Sequence, residues 1–242
     1  MNIAIIGYGK MGKLIEEIAI QRGHTISYTI GRQNNSLIQD INSLNTDVAI
    51  EFSIPQSGYI NCKQLVSNNV TTISGTTGWK NQLGEIETLA LQSNTGFLYA
   101  SNFSLGVNLF FKLSSLLAKM MSHFDNYEVI LEEIHHIHKL DAPSGTALTL
   151  LEGILKNYPD KKDFTLSDKE YNQNKKELVF INALREGEVP GTHKVQYESD
   201  LDTLEITHIA KDRKSFALGA VLVAEWMNGK KGVLTMNDFL NI

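Results

Sequence analysis

Asn2-Ile3-Ala4-Ile5-Ile6-Gly7-Tyr8-Gly9-Lys10-Met11-Gly12 is the stretch that decides the fold. An apolar run is followed by three glycines spaced G-x-G-x-x-G, and then by a helical apolar pattern over residues 11–21. The spacing predicts a strand, a tight turn and a helix. In that setting Gly7 permits the turn, Gly9 lets the backbone approach a pyrophosphate, and Gly12 allows close helix–strand packing. The helix start adds unpaired amides and a partial positive charge. Three glycines in six residues also occur in plain turns. The flanking strand and helix favour a dinucleotide site made of Gly7, Tyr8, Gly9, Lys10, Met11 and Gly12.

Outward from this stretch, strand and helix patterns alternate through the first hundred residues. Strand patterns fall at residues 25–30, 48–52, 70–74 and 97–100, with helical patterns at 56–67 and 81–92. Short Ile- and Val-rich strands between helices predict an α/β fold with a Rossmann-type, doubly wound parallel sheet. The pattern then changes. A long helix (105–121) leads to a strand (127–134), a helix (144–157) and a charged, weakly patterned segment (160–176). Three strand patterns follow in succession, at 177–185, 193–198 and 203–210. They predict a second, α+β region with a mainly antiparallel or mixed sheet. A strongly apolar helix at 215–227 is expected to pack back onto the first domain. The expected domains are therefore residues 1–103 with 215–242 for dinucleotide binding, and 104–214 for substrate binding and oligomerisation.

The chain has 242 residues, 42% hydrophobic and 20% charged, a globular balance with ample core material. A formal net charge of −5 argues against general nucleic-acid affinity, although local charge decides a small pocket. The single cysteine, Cys62, cannot form an intrachain disulfide and reads as a buried thiol in a helix, which fits a reducing compartment. The strand at the start is no secretory signal, and no run reaches the roughly 18 apolar residues of a membrane span. A cytoplasmic location with no membrane or nucleic-acid partner is expected.

About 20 residues beyond the glycine motif, NAD-selective sites carry an acid that binds the ribose. Here the chain reads Ile30-Gly31-Arg32-Gln33, without one. Arg32 can pair with the 2′-phosphate of NADP, or simply be a solvated surface residue. Two further loops follow strand ends on the ligand side of such a sheet: Ser74-Gly75-Thr76-Thr77-Gly78 and Ala100-Ser101-Asn102-Phe103. Their small and hydroxyl residues suit a nicotinamide and its ribose, and equally suit ordinary turns.

The chemical signal is Glu133-Ile134-His135-His136-Ile137-His138-Lys139-Leu140-Asp141-Ala142-Pro143-Ser144-Gly145-Thr146-Ala147. It runs from a strand end to a helix start, with Ser144 placed as an N-cap and the amides of Gly145 and Thr146 free to receive an anion. Histidines and a lysine beside such a pocket suit a carboxylate-bearing substrate that is protonated during reaction. Two other readings stand: a solvated or structural loop, and zinc bound by His135, His136 and His138. Lys139 beside the cluster and the lack of a cysteine pair disfavour the metal, so none is expected.

This segment resembles the signature of the dihydrodipicolinate (4-hydroxy-tetrahydrodipicolinate) reductases of lysine and diaminopimelate biosynthesis. The similarity runs in order through the glycine motif, Glu51-Phe52-Ser53, residues 74–79, 100–108 and 185–193, and 216–220. The resemblance implies an oxidoreductase that uses NADPH or NADH on a small dicarboxylate and assembles as a homotetramer through the central sheet. It gives His135 the place of a catalytic proton donor or acceptor and Lys139 that of a second donor. His136, Ser144, Gly145 and Thr146 match substrate-binding positions. Phe52, Gly75, Thr76, Thr77, Ala100, Ser101, Asn102 and Phe103 match cofactor contacts beside the glycine motif and Arg32. Glu51 stands where the family often has aspartate, and Gly31 where many members have the ribose-binding acid. A different Rossmann reductase, of the aspartate or homoserine dehydrogenase kind, would explain the glycine motif but not the histidine–lysine loop. A non-catalytic dinucleotide sensor is the third possibility.

Overall fold

A strand covered on both faces must be apolar on both, and Ile3, Ala4, Ile5 and Ile6 are all buried. The computed structural model covers residues 1–242. In chain order its elements are β1 (Asn2–Ile6), α1 (Lys10–Gln21), β2 (Thr25–Ile30), β3 (Val48–Glu51), α2 (Pro55–Ser67), β4 (Thr71–Ser74), α3 (Leu83–Gln92) and β5 (Gly96–Tyr99). Then come α4 (Leu105–Met121), β6 (Glu128–His135), α5 (Gly145–Asn157), β7 (Asp163–Thr165), α6 (Asp168–Gln173), β8 (Leu178–Arg185), β9 (Thr192–Glu198) and β10 (Thr203–Ile209). The chain ends with α7 (Lys214–Met227), β11 (Gly232–Leu234) and α8 (Met236–Leu240). It divides into two compact units, Met1–Leu105 with Arg213–Ile242, and Gly106–Asp212.

The first unit holds a six-stranded sheet in the order β11-β5-β4-β3-β1-β2, with every pair parallel. The chain passes from β1 outward to β2 and returns on the other side of β1 as β3. The carboxyl ends of β1 and β3 therefore flank a switch point, where open α/β sheets bind ligands. One layer of core joins Ile15 and Ala19 of α1 to Ala220, Val221 and Ala224 of α7 over the sheet. The other joins Cys62 and Val66 of α2 to Ile86 and Ala90 of α3. Each fully buried Ile or Val among these contributes about 1.5–3 kcal/mol. A Cβ at Gly219 would fall 1.8 Å from the Phe103 carbonyl oxygen, so α7 reaches the loop after β5 only because it has no side chain there.

The second unit holds a five-stranded sheet, β10-β9-β6-β8-β7. It is mixed: β6–β8 and β7–β8 are parallel, β6–β9 and β9–β10 antiparallel. Of the three strands that follow one another in sequence, β9 and β10 pair directly but β8 and β9 do not, because β6 lies between them. A parallel β6–β8 pair needs a long crossover, which α5, β7 and α6 supply. Burial alternates residue by residue along β6, so Val129, Leu131, Glu133 and His135 all face inward. Phe110 and Ala118 of α4 and Leu150 and Ile154 of α5 pack on that inward face, against Val129, Leu131, Val195 and Tyr197. No helix is long and apolar enough to cross a membrane.

Sequence patterning missed β7 and α6 inside the charged segment, and β11 and α8 near the end. The two strands have three residues each, too short to show a period. The helix α8 is fixed instead by a capping box between Thr235 and Asp238.

Candidate functional site

In the first unit the turn after β1 folds as three glycines allow. The amides of Gly7 and Tyr8 both donate to the Ile30 carbonyl, at 2.8 and 3.0 Å. Gly7 has φ +97°, and a Cβ there would lie 2.1 Å from the Phe52 carbonyl oxygen. A Cβ at Gly12 would sit 2.5 Å from the Gly7 carbonyl oxygen, whereas one at Gly9 would meet nothing within 4 Å. Gly9 therefore leaves an open approach, directly over the first-turn amides of α1, which carry no acidic neighbour in that turn. Lys10 is exposed, and Met11 is half-buried. The Tyr8 hydroxyl donates to the Glu16 carboxylate.

Of these residues Gly7, Tyr8 and Gly9 border a cavity of about 570 Å³ at the carboxyl ends of β1, β2 and β3, which also takes in Gly31, Arg32, Phe52 and Ser53, whereas Lys10, Met11 and Gly12 do not line it. No acid stands at the end of β2. The Gly31 amide donates instead to Asn34 Oδ1 at 2.7 Å, and Asn34 Nδ2 donates to the Thr29 carbonyl at 2.9 Å. Arg32 is exposed on the rim. The Phe52 ring joins the two remaining loops. A Cβ at Gly75 would lie 2.4 Å from Phe52 Cζ, and the ring centre is 5.4 Å from that of Phe103. Thr77 and Ser101 are exposed, Ala100 and Phe103 are buried, and Asn102 Oδ1 accepts from the Ser104 amide at 2.9 Å.

Beneath these loops lies a residue to which sequence reasoning gave no role. Glu51 ends β3 with no exposed surface. Its carboxylate accepts from Ser74 Oγ at 2.6 Å and Thr76 Oγ1 at 3.0 Å, from the Ser53 amide at 3.1 Å, and from the Ser53 hydroxyl. One buried acid thus ties the start of the 52–54 segment to the loop of Gly75, Thr76 and Thr77. The only hint in the sequence is an acid at the end of an otherwise apolar strand. Ser57 and Asn61 of α2, and Asn35, also border the cavity without having been expected there.

The second unit gathers the histidine–lysine loop. His135 is the last residue of β6, 7% exposed. Strand register sets its surroundings: His135 pairs with Arg185 on β8, and Glu133 pairs with His193 on β9. Glu133 is fully buried. Its carboxylate accepts from the Ser144 amide at 3.0 and 3.1 Å. It lies 3.7 Å from His135 Nδ1, 3.7 Å from His193 Nε2 and 3.4 Å from the Arg185 guanidinium. Burial pulls the His135 imidazole below its usual range; Lys139, Arg185 and His136 act the same way, and Glu133 alone opposes them. Burial also takes His193 down to about 3, helped by His135, His208 and Lys139, so that ring is neutral at physiological pH.

Ser144 caps α5. Its hydroxyl accepts from the Ala147 amide at 3.1 Å and lies 3.1 Å from His193 Nε2. The hydroxyl is thus used within the unit, and Gly145 and Thr146 present the open first-turn amides. Lys139 Nζ donates to both Asp141 oxygens, at 2.7 and 2.8 Å, an ion pair that holds the Asp141 carboxyl below its ordinary range. His136 is half-buried with Nδ1 unpartnered, and His138 faces outward to Glu188 at 3.1 Å. His135, His136 and His138 do not converge. The donors within common metal-binding reach are Glu133, His135 and His193, all within 4.8 Å. Both carboxylate oxygens there are already taken by hydrogen-bond donors, with a guanidinium alongside, a setting that favours a hydrogen-bonded cage over a cation.

Family models for dihydrodipicolinate reductase match nearly the whole chain, the N-terminal part over residues 1–103 and the C-terminal part over residues 106–240. The chain belongs to the dihydrodipicolinate reductase family. A 4-hydroxy-tetrahydrodipicolinate reductase of Christiangramia forsetii is 44% identical over 241 residues, covering 100% of this chain and 98% of the relative. One from Methanococcus aeolicus is 36% identical over 208 residues, 85% of this chain and 75% of its own length. The solved structure of a dipicolinate-bound dihydrodipicolinate reductase from Paenisporosarcina sp. TG-14 shares the fold, with a TM-score of 0.76, 23% identity and 98% of each chain covered. An amine dehydrogenase from Mycobacterium smegmatis shares the fold more distantly, with a TM-score of 0.61 at 8% identity over 97% of this chain and 94% of its own. The chain is therefore an oxidoreductase of this family, and a nicotinamide cofactor goes with it.

Glu51 generates a prediction for the cofactor end. Glu51→Ala leaves three hydroxyls without their acceptor, while the Ser53 amide keeps Thr76 Oγ1 at 2.8 Å, and each unmet buried donor costs about 1–3 kcal/mol. The variant should unfold at clearly lower urea concentration and lose nucleotide affinity, with Glu51→Asp closer to wild type. Equal urea midpoints for wild type and Glu51→Ala would refute the role.

Proposed function

We propose that this chain reduces 4-hydroxy-tetrahydrodipicolinate to tetrahydrodipicolinate, with NADPH used at least as well as NADH. The full-length match to the Christiangramia forsetii reductase carries the reading. In balance, substrate, reduced cofactor and one proton give product, oxidised cofactor and water. When bound, the cofactor supplies the hydride.

The chain's own residues do the rest. Gly7, Gly9 and Gly12, with the amides of Lys10 and Met11, receive the pyrophosphate; the open face at Gly9 is the feature that fits it. Tyr8 and Phe52 line the same cavity, and Gly75, Thr76, Thr77, Ala100, Ser101, Asn102 and Phe103 form the loops that orient the nicotinamide end. A substrate carboxylate is received by Gly145 and Thr146 at the positive end of α5, where Ser144 is the cap, and His136 is a further substrate contact. His135 and Lys139 hold the transferable protons. Lys139 starts from its ion pair with Asp141, for which a substrate carboxylate competes. The central sheet, with its long exposed edge strand β10, supports assembly into a homotetramer.

The primary test mixes purified protein with NADPH and the condensation product of pyruvate and aspartate semialdehyde and follows the nicotinamide absorbance. His135→Gln and Lys139→Ala should each lower turnover by about 10²–10⁴-fold with cofactor affinity nearly intact. Turnover within a few-fold of wild type in both would remove them from the proton path. For the cofactor, Arg32 supplies charge-assisted hydrogen bonds to a 2′-phosphate where Gly31 leaves no repelling acid. Arg32→Ala should therefore shift the ratio of kcat/KM values toward NADH, by at most about a hundredfold. An unchanged ratio, or a strong wild-type preference for NADH, would overturn that assignment. Light scattering should give a tetramer, and a stable species at the 27.0 kDa of one chain would exclude it.

A further inference from the structure

Glu133 is the most enclosed charge in the second unit, and nothing in the assigned chemistry uses it. Its position follows from the two-residue period of β6, which turns Val129, Leu131, Glu133 and His135 to the same buried face. A carboxylate does not stay buried without donors, and these come from two other pieces of chain, with an imidazole from a third nearby. The Ser144 amide reaches both oxygens from the start of α5, at 3.0 and 3.1 Å. Arg185 approaches from the end of β8, at 3.4 Å. His193 on β9 lies 3.7 Å away.

Arg185 does more than neutralise the acid. Its Nη2 also donates to the Asp141 carbonyl at 2.6 Å, its Nε to the Lys139 carbonyl at 3.3 Å, and its Nη1 to the Leu184 carbonyl at 2.7 Å. One guanidinium therefore holds the backbone on both sides of Leu140 to a carboxylate fixed in the sheet. The loop that carries Lys139 has few other ties: the Lys139 amide to the His136 carbonyl, and the Ile137 amide to the Gly187 carbonyl, both at 3.1 Å.

We propose that Glu133 and Arg185 are a pair of positioning residues: Glu133 anchors the start of α5 by hydrogen bonds and sets a negative charge 3.7 Å from His135 Nδ1, and Arg185 strings the Lys139–Asp141 loop to the same carboxylate. Neither need touch substrate. The proposal rests on the reductase reading for what the loop does, but not for how the loop is held. The pair also acts on His135 with opposite charge. The groups that face this ring are Glu133 on its own strand, His136 and Lys139 on the loop, Arg185 on β8 and His193 on β9. Glu133 is the only anion among them.

The test reads the His135 ring directly, by NMR titration of protein with isotope-labelled histidine, the signal assigned with His135→Gln. Glu133→Gln should lower the His135 midpoint by about one pH unit, and Arg185→Gln should raise it by a similar amount, the smaller end of what an adjacent charge does. Arg185→Lys keeps the charge and loses the fork, so the midpoint should stay while kcat falls about tenfold or more. The same signs should appear in the kcat profile, since an acid must be protonated to act. The alkaline limb moves to lower pH in Glu133→Gln and to higher pH in Arg185→Gln. Midpoints unchanged in both charge variants, or moved in the same direction, would overturn the proposal. So would wild-type kcat in Arg185→Lys. Should Glu133→Gln fail to fold, the contrast of Arg185→Gln with Arg185→Lys decides alone. A wild-type protein that does not reduce the substrate at all would sink the reductase reading, while the midpoints would still judge the pair.

Discussion

A carboxylate without water must be given hydrogen-bond donors, and the segments that supply them are thereby fixed in place. Each unit of this protein contains one such acid at or near a strand's carboxyl end, Glu51 in the first and Glu133 in the second, both with no exposed surface. In each case the donors come from the segments that carry the candidate ligand contacts or, for Arg185, from a strand end that holds such a loop. Around Glu51 they are Ser53, Ser74 and Thr76. Around Glu133 they are the Ser144 amide and Arg185. A loop with few apolar contacts of its own acquires a defined shape because releasing it would strand a buried charge, a cost of several kcal/mol.

The two arrangements differ in how the charge is balanced, and the difference follows from what the loops receive. Glu51 is met only by hydroxyls and an amide, which leaves the cavity free of extra fixed cations near the glycine turn. Glu133 has a guanidinium alongside and two imidazoles within 3.7 Å. Burial holds His193 neutral, so the ring of His135 faces one anion, Glu133, and the cations Arg185 and Lys139. A ring in that position responds to small changes in any partner, a property that suits the proton-exchanging role proposed for it.

Much of this was legible in the sequence. The glycine turn could be placed on its strand and helix because apolar runs and glycine spacing are local signals, and Ser144 could be placed as a cap for the same reason. The mixed character of the second sheet was open, because pairing depends on which strand lies beside which, and β6 enters between β8 and β9 from far along the chain. The same limit hid the roles of Arg185 and His193. Their closeness to Glu133 is a matter of register between β6, β8 and β9, and one residue of slip would turn them to the other face. Glu51 was visible as an acid ending an apolar strand, but its partners come from 23 and 25 residues away.

The loop after β2 shows the opposite solution to the same geometric need. Many dinucleotide sites use an acid there, which both shapes the turn and binds the ribose. Here Asn34 shapes the turn without charge, bonded to the Gly31 amide and the Thr29 carbonyl. The amide side chain is spent on backbone, so it neither repels nor attracts a phosphate. Selectivity at this edge therefore passes to whatever formal charge remains on the cavity rim, and along the loop of residues 31–35 that is Arg32 alone. An exposed arginine gains only a modest, salt-sensitive interaction. Such a turn is consistent with the proposed use of both cofactors, tilting the choice without excluding either.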